Sequence, residues 1–354
     1  MRGKDMPGLL IYGANGYTGT LIAREAAARG HRPVLAGRNA EELASLADEL
    51  SLEHRLFALD SPGAVEDGIR DVSVVLHCAG PFAHTSRPMA DACLRTGTHY
   101  LDITGEAAVY ESLVARDAQA RAAQVMLLPG TGFDVVPSDC LAAHLKRRLP
   151  TASRLALGFL LRGRVSRGTA TTVAENISGG GLVRQDGVLR KVPPAWRTRS
   201  IDFGTGPVQA VTIPWGDVVT AYHSTGIPNI EVYMAAPFAV RLAAKASRYM
   251  GWLLGTPAVQ RLLKRRIRAG RPGPTEEQRN EGRSFLWGEA ADATGRNVVS
   301  RLRGPDGYAL TARAALAVVE RVLAGEAPPG FQTPSGAYGP DFVLGLEGVV
   351  REDE

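Results

Sequence analysis

Residues 9–19 read LLIYGANGYTG, an apolar run that leads directly into three glycines spaced three residues apart. This spacing is typical of the turn that seats a dinucleotide pyrophosphate. Gly13 lets the chain turn out of the strand, Gly16 allows backbone to approach phosphate, and Gly19 lets the following helix pack closely on the sheet. The N–H groups at the start of that helix then face the anion. Because glycines also mark ordinary turns, a glycine-rich turn without a ligand is the alternative.

The end of the second predicted strand indicates which dinucleotide is bound. Sites for NAD usually carry a carboxylate there for the ribose 2′-hydroxyl, but no Asp or Glu occurs between Glu25 and Glu41. Arg38 instead offers a planar, permanently charged guanidinium, which suits the 2′-phosphate of NADP. We therefore predict NADP as the cofactor. A solvated arginine in a loop is the alternative interpretation.

Length and cysteine content set the broad class of the protein. With 354 residues, 45% of them hydrophobic, the chain is long enough for two domains. Its three cysteines, Cys78, Cys93 and Cys140, are odd in number and have no CxxC spacing, so neither a disulfide framework nor a zinc site is predicted. The N-terminal residues MRGKDMPG leave no room for a signal peptide, and no apolar run approaches the length of a membrane span. We expect a soluble, cytoplasmic protein.

Short apolar strands alternate with helical patterns six times from residue 8 to residue 128. This alternation predicts an α/β fold with a doubly wound parallel sheet of the Rossmann type. The predicted strands span residues 9–12, 33–36, 55–59, 72–78, 99–103 and 125–128. Ligands of such sheets bind at the carboxyl ends of the strands.

The pattern changes after Pro150. The later predicted strands lack regular intervening helices, which indicates a second α+β domain built on a mostly antiparallel sheet. These strands span residues 154–161, 208–213, 230–235, 283–291 and 297–302. We predict a dinucleotide-binding domain over residues 1–150, with residues 308–354 as a candidate completion of it, and a substrate domain over residues 151–307.

Residues at the carboxyl ends of the parallel strands are candidate cofactor contacts. We expect Asp60 near the adenine and residues 79–82 near the nicotinamide ribose, where Gly80 would allow close approach. The predicted cofactor-binding residues are Gly13, Asn15, Gly16, Tyr17, Thr18, Gly19, Arg38, Asn39, Asp60, Ala79, Gly80, Pro81 and Phe82.

Four further motifs carry a family resemblance. They are CAGPF at residues 78–82, ACLRTGTHYLDITGE at 92–106, PGTGFDVVPSD at 129–139 and GFQTPSGAYG at 330–339. With the glycine turn, they resemble the saccharopine dehydrogenase-like NADP-binding oxidoreductases, especially the trans-acting enoyl reductase branch. The resemblance implies NADPH as hydride donor, a substrate domain on an antiparallel sheet, and a homodimer. The closing motif departs from the family at Tyr338, where Met is typical.

Reduction of an enoyl thioester defines what the chain must supply. Hydride adds to Cβ, negative charge develops on the thioester oxygen, and a proton then arrives at Cα. Glu106 and Asp134 are the predicted acids, as proton relay or ribose ligands. Tyr100 is a candidate whose access depends on strand phase, and His84 is the one histidine placed to reach substrate. The alternative is that the carboxylates are structural, with Asp102 capping its turn, Asp134 its loop and Asp139 the following helix.

The sequence lacks the residues that two other kinds of site would need. No YxxxK motif occurs, so the tyrosine–lysine pair of short-chain dehydrogenases is not available. The histidines have no metal-ligand spacing to one another, so no metal site is predicted. His77, inside an apolar strand, is interpreted as a hydrogen-bonded core residue.

Positive charge is concentrated in residues 241–271, which contain nine Lys or Arg residues and no acid, although the whole chain carries only +5. Two amphipathic helical patterns lie here, one through Phe238, Leu242, Ala246, Tyr249 and Leu253 and one through Val259, Leu262, Leu263 and Ile267. The simplest interpretation of these basic residues is that they form the solvent-exposed face of packed helices. The functional alternatives are an acidic acyl-carrier protein, an anionic membrane surface or nucleic acid. The family resemblance favours a carrier protein or a lipid-like substrate. Nucleic acid ranks last, because only Tyr249 and Trp252 could stack on bases.

Three functions are consistent with these residues. The first is an NADPH-dependent reductase of an unsaturated acyl (enoyl-type) or lipid-like substrate. The second is a saccharopine-type amino-acid dehydrogenase, which would need arginines in its cleft. Arg162, Arg164 and Arg167 are the only tight group of arginines outside the basic segment, so this reading is less favoured. The third is a non-catalytic NADP(H)-binding regulatory protein.

Overall fold

The computed structural model describes residues 8–176, 180–254 and 256–354, and these divide into two compact units. The first unit comprises the chain up to Val136 together with Tyr308–Ala337. The second comprises Pro137–Gly307 and Tyr338–Glu354. Within the described residues, no helix is long and apolar enough to cross a membrane.

Strands and helices alternate along the first part of the chain, as the apolar pattern predicts. The elements are β1 (Leu9–Tyr12), α1 (Tyr17–Ala28), β2 (Val34–Gly37), α2 (Ala40–Leu50), β3 (His54–Leu56), α3 (Pro62–Ile69), β4 (Val74–His77), α4 (Phe82–Thr96), β5 (His99–Asp102), α5 (Ala107–Val114), α6 (Asp117–Ala122) and β6 (Met126–Leu128). All six predicted strands are present, with ends that differ from the prediction by a few residues at most.

The central part of the chain is richer in strands and less regular in its order. The elements are α7 (Val136–Arg148), β7 (Arg154–Arg162), α8 (Arg167–Asn176), β8 (Gly181–Gln185), β9 (Val188–Val192), β10 (Thr198–Asp202), β11 (Pro207–Thr212), α9 (Asp217–Thr225), β12 (Asn229–Ala235), α10 (Phe238–Leu254), α11 (Pro257–Ala269), α12 (Glu276–Glu281), β13 (Arg283–Ala291) and β14 (Asn297–Pro305).

The C-terminal part contributes to both units. Its elements are α13 (Gly307–Leu323), β15 (Gly330–Phe331), α14 (Pro334–Tyr338), a 3₁₀ helix (Phe342–Gly345) and β16 (Val350–Asp353). Strand β15 pairs with β6 in the first unit, whereas β16 pairs with β14 in the second.

The first unit is built on a seven-stranded sheet in the order β15-β6-β5-β4-β1-β2-β3, in which every pair is parallel. The chain leaves β1 toward β2 and β3, then returns to β4 on the other side, so the strand order reverses at β1 and β4. Every residue of β1, β2 and β4 is buried, as expected for a parallel sheet that is covered on both faces. The predicted doubly wound sheet is confirmed. Its reversal point is where such sheets bind ligands.

The second unit is built on a sheet whose main path runs β10-β11-β12-β7-β13-β14-β16, with β8 pairing to β12 and β9 to β8. The pairs are antiparallel except for β7 with β12. Ile201, Phe203, Tyr233 and Trp287 form a buried cluster on this sheet. The mostly antiparallel sheet is confirmed.

The division between the units lies at Val136, whereas the sequence analysis set it at Pro150. The reason is the packing of α7. A Cβ added to Gly288 of β13 would lie 2.6 Å from Cδ1 of Leu145 and 3.2 Å from Cδ2 of Leu141. Helix α7 therefore packs on the sheet of the second unit, although its sequence follows the first.

Helices α10 and α11 carry the two predicted amphipathic patterns. Val259, Leu263 and Ile267 are half-buried on α11, whereas Leu262 is exposed. The side chains of Ala246, Tyr249, Trp252, Leu253, Lys264 and Arg268 lie outside the described residues.

We expect Gly19→Ala to destabilise the first unit by about 1–3 kcal/mol. A Cβ at this buried position would overlap the Gly13 carbonyl oxygen and lie 2.9 Å from the Ala14 Cα, and both neighbours are backbone that cannot rotate away. Gly63→Ala in α3 is the matched control, because nothing lies within 4 Å of its added Cβ. Thermal and urea unfolding measure the effect. Equal stability of the two variants would contradict the close packing of α1.

Candidate cofactor site

Backbone contacts close the glycine turn after β1 and leave no room for a side chain at Gly13 or Gly19. The Gly13 N–H donates to the Ala36 carbonyl over 2.7 Å, and the Gly16 N–H donates to the Gly13 carbonyl over 3.0 Å. Gly13 has a φ of 81°, and its added Cβ would lie 2.8 Å from the Ala79 nitrogen. Glycine is therefore required at Gly13 by conformation and at Gly19 by space.

The start of helix α1 has the features of an anion site. Its N-cap residue, Gly16, makes no side-chain cap hydrogen bond, and its first turn contains no acidic residue. Thr20 Oγ1 donates to the Ala14 carbonyl over 3.0 Å and so fixes the turn. The N-terminal N–H groups of a helix and its dipole favour negative charge. Tyr17 and Thr18, both half-buried, complete the first turn.

Two neighbouring helices that start after strands of the same sheet are capped from within the protein. Asn39 is the N-cap residue of α2, where its side chain accepts from the Glu42 N–H, and Glu41 and Glu42 stand in the first turn. The Glu106 carboxylate accepts from the Phe82 N–H over 2.9 Å and from the Ala83 N–H over 3.0 Å at the start of α4. The start of α1 thus differs from the starts of α2 and α4, and the glycine turn before it is the candidate pyrophosphate site.

The end of β2 presents charge at the position predicted for the 2′-phosphate. Arg38 is exposed, and within the described part of the chain its guanidinium pairs with no carboxylate. Asp60, after β3, is also exposed. Burial raises the pKa of Tyr12 to about 12, an effect that the positive charge of Arg38 opposes and the negative charge of Asp60 reinforces. The charges of Arg38 and Asp60 therefore both act at the end of β1, where Tyr12 lies.

Asn15 links the glycine turn to α2, which the sequence analysis did not foresee. Its Nδ2 donates to Glu42 Oε2 over 2.8 Å. A Cβ on Gly37 would lie 2.9 Å from Asn15 Oδ1, so the glycine at the end of β2 makes room for this side chain. Gly37 directly before Arg38 was the available signal in the sequence.

Two successive hydrogen bonds connect the loop after β4 to the buried side chain of His77. Thr85 Oγ1 donates to the Ala79 carbonyl over 2.6 Å, and His77 Nε2 lies 3.0 Å from Thr85 Oγ1. Because the hydroxyl proton is engaged by Ala79, His77 donates from Nε2. Burial lowers the pKa of His77 to about 3, so the ring is neutral. This confirms His77 as a hydrogen-bonded core residue, one that shapes the loop predicted to meet the nicotinamide ribose.

Residues 79–82 themselves differ in exposure along this loop. Gly80 is exposed, Ala79 and Pro81 are half-buried, and the peptide bond between Gly80 and Pro81 is cis. Phe82 is buried, with its ring 5.4 Å from that of His77 in an edge-on arrangement. His84 is exposed in the first turn of α4.

Of the predicted catalytic residues, Glu106 and Tyr100 have their polar atoms engaged in hydrogen bonds within the protein, whereas Asp134 is described by its place beside Gly105. Glu106 is engaged in capping α4, and Tyr100 is fully buried with its hydroxyl donating to Asp102 Oδ2 over 2.7 Å. The strand phase thus turns Tyr100 into the core. Asp134 is half-buried against Gly105, whose added Cβ would lie 2.9 Å from Asp134 Oδ2. Their roles in turnover stay predictions. Asp139 lies in the second unit, where its carboxylate accepts from the Ser224 hydroxyl.

Asp102 is the centre of a buried network at the ends of β5 and β6. Its Oδ1 accepts from the Thr104 N–H over 3.0 Å and from the Gly130 N–H over 2.9 Å. Tyr110 donates to the Thr104 carbonyl over 2.6 Å, and a Cβ on Gly130 would overlap the Tyr110 hydroxyl. Burial raises the pKa of Asp102 to about 6 despite these hydrogen bonds. Among the described residues, no cluster of His, Cys, Asp and Glu could hold a metal ion.

Comparison with known proteins finds a family match within the first unit. Residues 9–128 match the model of the saccharopine dehydrogenase NADP binding domain. The resemblance is thereby confirmed for the motifs within these residues, and NADP is the cofactor of this domain. The glycine turn, the start of α1 and the exposed guanidinium of Arg38 fit that cofactor.

The relatives carry two kinds of name. A trans-acting enoyl reductase of Mycobacterium ulcerans is 32% identical over 150 residues, which cover 40% of this chain and 35% of that protein. A saccharopine dehydrogenase-like oxidoreductase of Bos taurus is 27% identical over 161 residues, which cover 40% of this chain and 38% of that one. The alignments thus span little more than a third of these relatives.

One solved structure matches along almost the whole chain. The saccharopine dehydrogenase (L-Glu forming) of Saccharomyces cerevisiae superposes with a TM-score of 0.68, covering 98% of this chain and 100% of that one at 12% identity. At this identity the match establishes the fold alone.

We expect Arg38→Ala to weaken NADPH binding by roughly tenfold to a hundredfold, because a hydrogen bond to a charged group contributes about 1.5–3 kcal/mol. Affinity for NADH, which lacks the 2′-phosphate, should change little. Fluorescence titration with each dinucleotide measures both constants. Arg70→Ala, which removes another exposed arginine of this unit, is the control. Equal affinity of the wild type for NADPH and NADH would contradict the role of Arg38.

The raised pKa of Asp102 predicts a pH dependence of stability. The ordinary pKa is 3.8 and the folded value is about 6, so the folded protein binds this proton more tightly than the unfolded chain. The free energy of unfolding therefore falls as the pH rises from about 4 to about 6, by an amount of the order of 3 kcal/mol, and stays lower above that range.

Asp102→Asn isolates this effect, because the amide keeps an oxygen for the two N–H donors but does not titrate. We expect the melting temperature of the variant to gain on that of the wild type as the pH rises from 4 to 6. Asp67→Asn removes an exposed carboxylate and is the control. A constant difference between Asp102→Asn and wild type across this range would show that Asp102 is not the titrating group.

Proposed function

We propose that this chain is an NADPH-dependent oxidoreductase that reduces an unsaturated acyl group of the enoyl type, or a lipid-like substrate carrying one. The observation that carries the proposal is the higher identity to a trans-acting enoyl reductase, 32% over 150 residues, compared with 27% over 161 residues to a saccharopine dehydrogenase-like oxidoreductase. We call the carboxyl ends of the strands of the first unit, with the helix starts that follow them, the cofactor edge. It combines a helix start suited to pyrophosphate with an exposed arginine suited to a 2′-phosphate.

The residues of the first unit have distinct roles in this proposal. When bound, NADPH supplies the hydride. The glycine turn and the start of α1 bind the pyrophosphate, and Arg38 binds the 2′-phosphate. The His77–Thr85 relay and the Glu106 carboxylate hold the two ends of the loop at residues 79–82. Glu106 thereby acts as a positioning residue.

Asp134 is the acid that we assign to the proton step. Both oxygens of Glu106 accept backbone hydrogen bonds, which favours the ionised carboxylate and leaves it poorly suited to deliver a proton. Asp134 is half-buried, lies beside Gly105, and belongs to the loop between β6 and α7. A proton relay to Cα through Asp134 would complete the addition that hydride begins at Cβ.

A saccharopine-type acceptor is the second candidate, since the fold of the whole chain matches a saccharopine dehydrogenase. An acceptor with several carboxylates requires converging cations. Of the arginines considered for that role, Arg162 lies over the Phe285 ring at 5.3 Å and contacts Thr205 Oγ1. This engagement at the sheet favours the acyl substrate.

The test follows transfer of deuterium from C4-labelled NADPH to an α,β-unsaturated acyl thioester, presented free or on a carrier protein. We expect one deuterium at Cβ of the product, detected by mass spectrometry. Asp134→Asn should lower kcat by roughly a hundredfold or more, as loss of a general acid does, while the Kd for NADPH stays unchanged. Glu106→Gln should instead weaken NADPH binding together with kcat.

Two outcomes would reject the proposal. Transfer of deuterium to an imine formed with glutamate, and not to the thioester, would favour the amino-acid dehydrogenase. Tight NADPH binding without deuterium transfer to either acceptor would favour a regulatory protein.

A further inference from the structure

Helices α10 and α11 present cations that the protein itself does not neutralise. The segment at residues 241–271 contains no acidic residue. Arg241, Lys245, Arg261, Arg265 and Arg266 form no ion pair with the side chains that the structure describes. Elsewhere in the second unit, exposed arginines such as Arg197 pair with carboxylates. The charge on these two helices is therefore available to an external partner.

Each helix is attached to its unit along one side. On α10, Arg248 donates from Nε to the Pro194 carbonyl over 2.8 Å and from Nη2 to the Ala195 carbonyl over 2.5 Å. On α11, Gln260 Nε2 donates to the Ala174 carbonyl of α8 over 2.9 Å. These contacts anchor both helices to the rest of the second unit.

The exposed sides carry large apolar side chains among the cations. Phe238 is 71% exposed and Leu242 is 57% exposed, and with Lys245 they lie on one face of α10 at helical spacing. On α11, Leu262 is 55% exposed. Its neighbours on the same face are Arg261, Arg265 and Arg266, all exposed. We call these seven residues the basic apolar face.

We propose that the basic apolar face binds the surface of an anionic lipid bilayer. Lipid headgroups accept cations at the surface, and the acyl region just below accepts single apolar side chains that project between them. A protein partner would have to present carboxylates and apolar pockets at matching positions, whereas a bilayer offers headgroups and acyl chains at every position of its surface. The interleaving of isolated apolar side chains with unpaired arginines therefore suits a bilayer better than a packed protein surface.

Binding of the full-length protein to vesicles tests this proposal. Sedimentation with phosphatidylcholine vesicles that contain phosphatidylserine should show binding that weakens in high salt, since exposed charges are screened. Vesicles of phosphatidylcholine alone should bind much less. The triple variant Arg261→Glu, Arg265→Glu, Arg266→Glu should lower partitioning roughly a hundredfold or more.

A matched control reverses the same number of charges elsewhere in the second unit. Arg154→Glu, Arg190→Glu, Lys191→Glu changes three exposed cations on β7 and β9, and should bind vesicles within about threefold of wild type if location matters more than net charge. Phe238→Ser, Leu242→Ser should also weaken binding, whereas Val165→Ser, Val188→Ser, at side chains of similar exposure, should not. Circular dichroism and melting temperature establish that each variant is folded.

The proposal fails if wild type does not bind anionic vesicles, or if the triple variant and its matched control bind equally. A wild type that binds a purified acyl-carrier protein through Arg261, Arg265 and Arg266, but no vesicles, would assign the face to an acidic protein instead. These outcomes are independent of the hydride acceptor, because none of the measurements involves turnover.

Discussion

The backbone contact between Gly13 and Gly19 sets the geometry of the first unit. Helix α1 lies close to the end of β1 only because neither position carries a side chain. The same turn receives the Ala36 carbonyl at the end of β2, so a single feature joins two strands and a helix. The start of α1 is thereby directed to the place where the strand order reverses.

At the ends of β5 and β6, beyond the point where the strand order reverses, buried hydrogen bonds hold the loops in place, whereas close glycine packing does so after β1. Asp102 receives two backbone N–H groups and one tyrosine hydroxyl, and these partners come from two segments of chain, residues 100–104 and the loop after β6. A buried carboxylate is costly unless it is hydrogen-bonded in this way. The network fixes the loops after β5 and β6, and Glu106 extends it to the start of α4.

The sequence predicts those parts of the fold in which local pattern and burial coincide. Strands β1, β2 and β4 are continuous apolar runs because both of their faces are covered, and the sequence analysis located all three, whereas the two-residue strand β15 was not predicted. Strands β9, β10 and β16 are mostly exposed and carry charged residues, so no apolar run marks them. Helix α7 was assigned to the wrong unit because a helix does not reveal in its own sequence which sheet it packs on.

The same limit applies to the site residues. Gly13 and Gly19 act through their positions in the chain, and their packing could be predicted from spacing, whereas the role of Arg38 stays a prediction. The partners of Glu106 are N–H groups, which every residue has, so nothing in the sequence distinguishes a capping carboxylate from a reactive one. For Tyr100, a rotation by one strand position decides between core and surface, and only packing determines it.

The unequal starts of helices α1, α2 and α4 give the cofactor edge a polarity. Helix α1 begins at a glycine and has no acid in its first turn, whereas α2 begins with Asn39 followed by two glutamates and α4 is closed by Glu106. A dinucleotide has two chemically different halves on either side of its pyrophosphate. With Arg38 on one flank and the Glu106 carboxylate on the other, electrostatics favours the phosphorylated ribose on the β2 side and disfavours the reversed placement. The edge thus favours one direction for the cofactor, in which its nicotinamide half lies beside the loop after β4.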